Sequence, residues 1–359
     1  MNRTILFVDD YFGQGGAQRV LVNFINGIKQ RMNVSVISLC KPKEIFNEID
    51  DDINKHSLFY KRPVFSIFSL SSSIKKINPS VIVVSSSRVY SILKVSAFIA
   101  RYRGKIICRY PSMPSLEIKE KAQSGFRLLF IKLCFNKKSI VIAQSEEMKA
   151  DLWKVYNLNL KNIYVINNPI NIYDIKNKIK NQKVPFVGGN LINIVASGRI
   201  YEPKGFDFLI QAFAKSLQLN PKLRLNIIGG DVVGLKASYI NLAEQLGCHN
   251  EVIFHGHKDN PYPFYNFCDL FVLSSRREGV PNALLENIYL NNKVIATRCV
   301  KVVEDIILTS GGGILVDVDN IDELSLAISS YEKIKIGQFN WRDGLSDFIE
   351  LVQEISHDI

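Results

Sequence analysis

No two of the six cysteines form a Cys-x-x-Cys pair. Cys40, Cys108, Cys134, Cys248, Cys268 and Cys299 are scattered, which predicts reduced thiols in apolar surroundings, as in a cytosolic protein. No run of about 18 apolar residues occurs, so no segment is long enough to span a bilayer as a helix. Behind Arg3 the apolar run is only Ile5-Leu6-Phe7-Val8 before Asp9-Asp10, too short for a secretory leader. Repeats and low-complexity tracts are absent. Hydrophobic content of 47% with 22% charged residues excludes a disordered chain. Acidic charge is scarce in one half only: residues 1–170 hold 12 Asp/Glu against 26 Lys/Arg, whereas residues 171–359 hold 22 against 19. A basic half beside a near-neutral half points to an anionic partner for the first half, be it nucleic acid, anionic lipid or a phosphorylated substrate.

What is present is an alternation of apolar strand-like runs with helical patterns, the signature of parallel sheets with crossover helices. At 359 residues the chain is too long for one ordinary core, and two α/β domains are expected. Strands are predicted at Ile5–Val8, Val34–Ser38, Val81–Ser85, Lys105–Arg109, Ser139–Ala143 and Asn162–Ile166, giving a domain over 1–170. Residues 171–190, rich in Lys and Asn, with Pro185 and Gly188-Gly189, read as a connection. A second series at Leu191–Ala196, Leu223–Ile228, Val252–Phe254, Leu270–Leu273, Val294–Ala296 and Gly313–Val316 defines a domain over 191–339. A last helix, about Trp341–Ile355, within 340–359, is expected to pack back on the first domain.

Four loops after predicted strands carry chemistry, where open α/β sheets place ligands. Gly13-Gln14-Gly15-Gly16-Ala17-Gln18-Arg19 brings backbone amides to a helix start, where they suit a phosphate. It is not a Gly-x-Gly-x-x-Gly fingerprint, and the lesser alternative is a tight turn needing only glycine flexibility. Ser197-Gly198-Arg199 with Lys204-Gly205 sets two cations five residues apart, able to neutralise a diphosphate leaving group; alone it also reads as a solvated loop. Ile227-Ile228-Gly229-Gly230-Asp231 is a strand running into glycines. The fourth, Ser274 to Glu286, holds Glu278 in a loop and Glu286 about one turn inside a helix that Pro281 opens.

Glu278–Glu286 resembles the E-x7-E motif of retaining glycosyltransferases of glycosyltransferase family 4, with the GT-B fold. Gly15-Gly16-Ala17-Gln18-Arg19, Ala143 to Met148, Val165 to Pro169, Gly198-Arg199…Lys204-Gly205, Gly256 and Val294 to Thr297 resemble further family landmarks in the right order, over nearly the whole chain. The resemblance implies an α/β protein of two facing Rossmann-like domains with a cleft between them, the N-terminal one binding acceptor and the C-terminal one the nucleotide-sugar donor. It implies that Arg199 and Lys204 bind the donor diphosphate, Glu278 the donor sugar and Glu286 the ribose, with the nucleobase against Gly256-His257-Lys258. Gly198, Gly230, Gly279, Pro281, Asn282 and Ala283 complete the donor side, and Gly15-Gly16 would close over the phosphates. A hexosyltransferase needing no metal or other cofactor is implied. Its donor would be UDP-linked and its acceptor a glycan or lipid-linked chain of bacterial surface polysaccharide, capsule or O-antigen, made at the inner face of the cell membrane. The chain departs from the family pattern twice. Arg109 stands near the strand end where many members have His, leaving Arg109 as an acceptor-side candidate, and Val302-Val303 replaces a Gly-Pro pair before Glu304-Asp305.

Two Asp-x-Asp triplets, Asp50-Asp51-Asp52 and Asp317-Val318-Asp319, are read as surface charge and helix-capping residues rather than metal ligands. His255-x-His257 lacks a third ligand, and strand alternation turns the rings to opposite faces. Phe126–Lys138 reads as a helix packing Phe126, Leu129, Phe130 and Leu133 inward with basic residues outside; the alternative is a membrane-surface helix. A nucleic-acid-binding protein would account for the basic half but lacks a recognisable module with interleaved aromatics. An epimerase on the same scaffold would need acid and base on both sides of the sugar.

Overall fold

The computed structural model describes residues 4–357 except 14, 121–124 and 187–188. The chain forms two compact units, Met1–Pro169 with Arg342–Ile359, and Ile170–Trp341. The first holds seven parallel strands: β1 Thr4–Asp9, β2 Asn33–Cys40, β3 Asn54–Tyr60, β4 Val81–Val84, β5 Lys105–Arg109, β6 Ile140–Ala143 and β7 Ile163–Val165. Their order is β3-β2-β1-β4-β5-β6-β7. The second holds β8 Ile192–Ser197, β9 Leu223–Ile228, β10 Val252–Gly256, β11 Leu270–Leu273, β12 Val294–Thr297 and β13 Ile314–Val316, in order β10-β9-β8-β11-β12-β13. Both are doubly wound sheets that reverse direction once, between β1 and β4 and between β8 and β11.

Covering both faces of a parallel sheet makes its inner strands apolar throughout. In the first unit Leu6 and Val8 face one core and Ile5 and Phe7 the other, as strand alternation requires. The Leu6/Val8 face is covered by the helices Ile67–Ile77, Ser87–Ala100, Gly125–Cys134 and Glu146–Tyr156. The opposite face takes the helices Gly16–Ile28 and Gly344–His357, whose Phe348 ring lies 4.3 Å from that of Phe24 and 6.2 Å from that of Phe7.

Three local expectations are corrected. β3 was not expected, because Asn54, Lys55, His56 and Ser57 give it no apolar run; it is an edge strand, half-exposed, with one neighbour. The Lys/Asn-rich stretch after residue 171, expected as a plain connection, carries the helix Ile172–Ile179, capped by the Asn171 side chain and seated through Ile175 in the second unit's core; Gly188 lies outside the described residues. In the helix Gly125–Cys134 the buried side chains are Ile131 and Phe135 just beyond it, while Leu129, Phe130 and Leu133 are exposed; the side chain of Phe126 lies outside the described residues.

Candidate active site

The donor-type loops all leave the carboxyl ends of β8, β9, β10 and β11, at the second sheet's switch point. Backbone bonds knit them: Gly198 N–H donates to Ile228 O, Gly229 N–H to Gly256 O and Ile200 N–H to Gly230 O, each at 2.9 Å. A Cβ on Gly229 would stand 1.7 Å from the Gly198 carbonyl oxygen, so only glycine permits that approach. Gly205 has φ +62°, and a Cβ there would meet the Ser274 carbonyl oxygen at 2.1 Å. Gly230 lies beside His257, and Gly256 turns the chain with φ +69°.

The lysine loop is tied to the Glu278 loop. Arg276 N–H donates to Pro203 O at 2.8 Å, and Ser274 Oγ donates to Lys204 O at 3.0 Å. The Arg276 guanidinium spans both sides of Asp207 (2.9 and 2.8 Å) and reaches Asp319 at 2.8 Å and Glu202 O at 2.9 Å. These bonds set Lys204 Nζ 2.5 Å from Glu278 Oε1, which also accepts from Ser275 Oγ at 2.6 Å. Both partners are largely covered, with side chains 17% and 11% exposed, so the pair is weakly screened. Burial pulls the Lys204 pKa down, but the charge and hydrogen bond of Glu278 outweigh it and hold the ammonium above its ordinary range. The Cys299 thiol is pushed up to about 12, by burial first and then by the Glu278 charge.

Arg199 is exposed, its guanidinium 5.2 Å from the Tyr201 ring centre, and its charge acts on Lys204. Two cations and a carboxylate therefore meet at the switch point. Glu286 is 7% exposed and accepts from the Tyr262 hydroxyl at 3.4 Å. It sits in the helix Asn282–Tyr289, preceded by Gly279 and begun by Asn282 and Ala283. Pro281 flanks this helix as its cap rather than forming its first residue, and it provides no side-chain cap. His257 and Lys258 are exposed, with His257 Nε2 3.1 Å from Asp259. His255 instead binds Asn226 at 2.8 Å and stands edge-on to Phe264.

The acidic triplets are spoken for. Asp50 and Asp52 pair with Lys29, Asp51 with Lys55, Asp317 with Arg298 and Asp319 with Arg276. The cap of the helix Ile321–Ser329 is the Asn320 side chain, not an aspartate as expected. Among the described residues no group of three or more His, Cys, Asp or Glu is placed to hold a metal ion. The six cysteines are free, two buried and four half-buried. Val300 caps the helix Lys301–Ser310, where Lys301 pairs with Asp305 at 2.8 Å.

In the first unit Gly15 caps the helix that Gly16 begins; Gln14 lies outside the described residues. Arg109, expected on the acceptor side, is 1% exposed: it donates to Asn168 Oδ1 at 2.5 Å, and its Nε has no hydrogen-bond partner. Burial lowers its pKa to about 9. At the β1/β4 switch point, the sequence alone assigned no role to Asp9 and Asp10, although two carboxylates ending an apolar strand were visible. Asp10 pairs with Arg88. Asp9 is fully buried, accepts from Phe12 N–H at 3.0 Å, and its burial raises its pKa to about 6. Arg276 also went unassigned, since its role depends on aspartates 69 and 43 residues away in sequence.

A doubly wound unit with glycine loops and cations at its switch point has the layout in which open α/β sheets bind ligands. The comparisons with known proteins narrow this. Residues 177–344 match the family model "Glycosyl transferases group 1", and residues 14–173 match "Glycosyltransferase Family 4". An uncharacterized glycosyltransferase of Methanocaldococcus jannaschii is 30% identical over 201 residues, 54% of this chain and 48% of that protein, so the chain spans about half the length of that relative. An uncharacterized glycosyltransferase of Haemophilus influenzae is 23% identical over 90% of this chain and 88% of its own. The lipopolysaccharide core biosynthesis glycosyltransferase LpsE of Rhizobium meliloti is 33% identical over 29% of each. Among solved structures, Anabaena HepE in complex with UDP and glucose superposes with a TM-score of 0.78 at 17% identity, covering 99% of both chains, a likeness of fold. The chain belongs to the group 1/family 4 glycosyltransferases and has the GT-B fold.

Proposed function

We propose that the chain moves a hexose, with retention of anomeric configuration, from a UDP-sugar to a glycan or lipid-linked acceptor during assembly of a bacterial surface polysaccharide. The observation that carries the reading is the Lys204–Glu278 pair at the β8/β11 switch point with Arg199 beside it. In the reaction the bond between the anomeric carbon and the β-phosphate oxygen breaks, the acceptor oxygen bonds to the anomeric carbon, and its hydroxyl proton passes to the departing diphosphate. Negative charge then builds on the departing diphosphate, and fixed cations stabilise it at no cost in reorganisation. Arg199 and Lys204 fill that role, and Glu278 orients the donor sugar. Glu286 holds the ribose hydroxyls, and the Gly256-His257-Lys258 turn flanks the base. The UDP and glucose named with HepE support the donor, and the name of LpsE supports the pathway.

Arg199→Ala and Lys204→Ala should each weaken UDP binding by roughly 1.5–3 kcal/mol, the scale of a hydrogen bond to a charged group. Uridine binding should barely change. Calorimetry with both ligands checks this; equal weakening of uridine and UDP removes the diphosphate assignment.

A further inference from the structure

Two buried tyrosine hydroxyls of the second unit end on the donor loops. Tyr262 and Tyr265 lie three residues apart on the short helix Tyr262–Asn266 that follows β10, so they share a face. Each is 3% exposed and belongs to the core. Tyr265 stands edge-on to Phe271, with ring centres 5.7 Å apart, and edge-on to Tyr262 at 6.1 Å. That packing accounts for the rings, and phenylalanine would meet it as well. It does not account for the hydroxyls, which need partners once buried. The Tyr262 hydroxyl donates to Glu286 Oε1 at 3.4 Å, and the Tyr265 hydroxyl lies 2.6 Å from Ser197 Oγ. One turn of helix thus touches both the Glu286 carboxylate and the residue that opens the Ser197-Gly198-Arg199 loop. The helix is itself fixed: the buried Asn292 amide donates to Tyr265 O and to Asn287 Oδ1, each at 2.7 Å, tying the helix to the residue next to Glu286. Before the helix, Asn260 donates to Lys178 O at 2.8 Å.

We infer that the helix Tyr262–Asn266 is a bracket for the nucleotide. Tyr262 and Tyr265 are positioning residues: the first sets the Glu286 carboxylate for the ribose diol, and the second sets the Ser197-Gly198-Arg199 loop for the diphosphate. Both roles rest on the ribose and diphosphate assignments of the proposed function. A hydroxyl donated to one carboxylate oxygen fixes the plane in which the lone pairs of both oxygens lie, and so the direction from which two adjacent ribose hydroxyls can donate. Without it the carboxylate keeps its charge but gains rotamer freedom, which nucleotide binding then has to freeze. The Tyr265 contact acts in the same way on the loop. It holds the Ser197 side chain while the Gly198 N–H donates to Ile228 O at 2.9 Å, so Arg199 leaves a loop pinned through side chain and backbone alike.

Titration calorimetry of the full chain with UDP, 2′-deoxy-UDP and uridine tests this, using Tyr262→Phe and Tyr265→Phe, which keep both rings. Tyr262→Phe should weaken UDP binding roughly fivefold, as loss of one hydrogen bond does, and 2′-deoxy-UDP binding by less. The preference for the ribonucleotide then narrows, which a general loss of structure does not produce. In a Glu286→Gln background the same substitution should narrow it no further. Tyr265→Phe should weaken UDP by a similar factor and leave uridine unchanged. Ser197→Ala, which cuts the same bond from the loop side, should match it, and the two together should cost little more than either. The inference fails if Tyr262→Phe weakens UDP and 2′-deoxy-UDP alike, or if Tyr265→Phe weakens uridine as much as UDP. It also fails if either tyrosine variant, or Ser197→Ala, binds all three ligands as wild type does. Equal wild-type affinity for UDP and 2′-deoxy-UDP would instead remove the ribose assignment itself, and with it the role of Tyr262.

Discussion

Glu278→Gln is expected to cut turnover by about 10²-fold or more while leaving the fold and UDP affinity intact, the behaviour of a polar contact that matters most in the transition state. The substitution is nearly isosteric, and its amide oxygen still accepts from Ser275 Oγ, which lies 2.6 Å from Glu278 Oε1. What it removes is the negative charge that holds Lys204 Nζ at 2.5 Å. Lys204 is then released toward the diphosphate, so UDP affinity should stay the same or rise as kcat falls. That opposition separates the two roles. A joint loss of UDP affinity and turnover would make Glu278 a support for the lysine loop, and wild-type turnover would remove it from the chemistry.

The second large effect belongs to the first unit. Asp9 is fully buried, and burial, only partly opposed by the Phe12 N–H and the Arg88 charge, raises its pKa from 3.8 to about 6. The folded state therefore holds the proton more tightly than the unfolded chain. Stability is full below the unfolded value and is lost as pH rises through about 6. The difference of roughly two units corresponds to about 3 kcal/mol. Asp9→Asn, which keeps an acceptor for Phe12 N–H, should stabilise the first unit at pH 7.5 by up to about 3 kcal/mol and change little at pH 4. Urea midpoints at several pH values read this directly. A variant destabilised at pH 7.5, or shifted equally at every pH, contradicts a carboxylate held against its burial.

Both doubly wound sheets were legible because buried parallel strands are continuous apolar runs, which Val81–Val84 and Leu270–Leu273 display without interruption. β3 was not, because an edge strand may be polar. The glycine and charged loops of the second unit were legible as loops because they directly follow apolar strands. The Lys204–Glu278 bond was not, since it joins residues 74 apart through the Arg276 tie, and only the folded loops bring them together. Arg109 has an environment that was not legible. A cation at a strand end looks like a ligand contact, and its enclosure by Asn168, 59 residues on, cannot be read from spacing. Leu129, Phe130 and Leu133 form an apolar stripe that helical periodicity assigns to the core, yet the core accepts Ile131 and Phe135 instead.

The central claim is that the β8/β11 switch point of the second unit activates a nucleotide sugar for retaining transfer. Proton NMR of the product formed from a panel of UDP-hexoses and a lipid-linked glycan acceptor tests it most directly, because the coupling of the new anomeric proton reports both transfer and stereochemistry. The account predicts a glycoside with the donor's anomeric configuration, formed only with acceptor present and absent from the Arg199→Ala/Lys204→Ala double variant. An inverted glycoside, an epimerised UDP-sugar without a glycoside, or undiminished product from the double variant would contradict it.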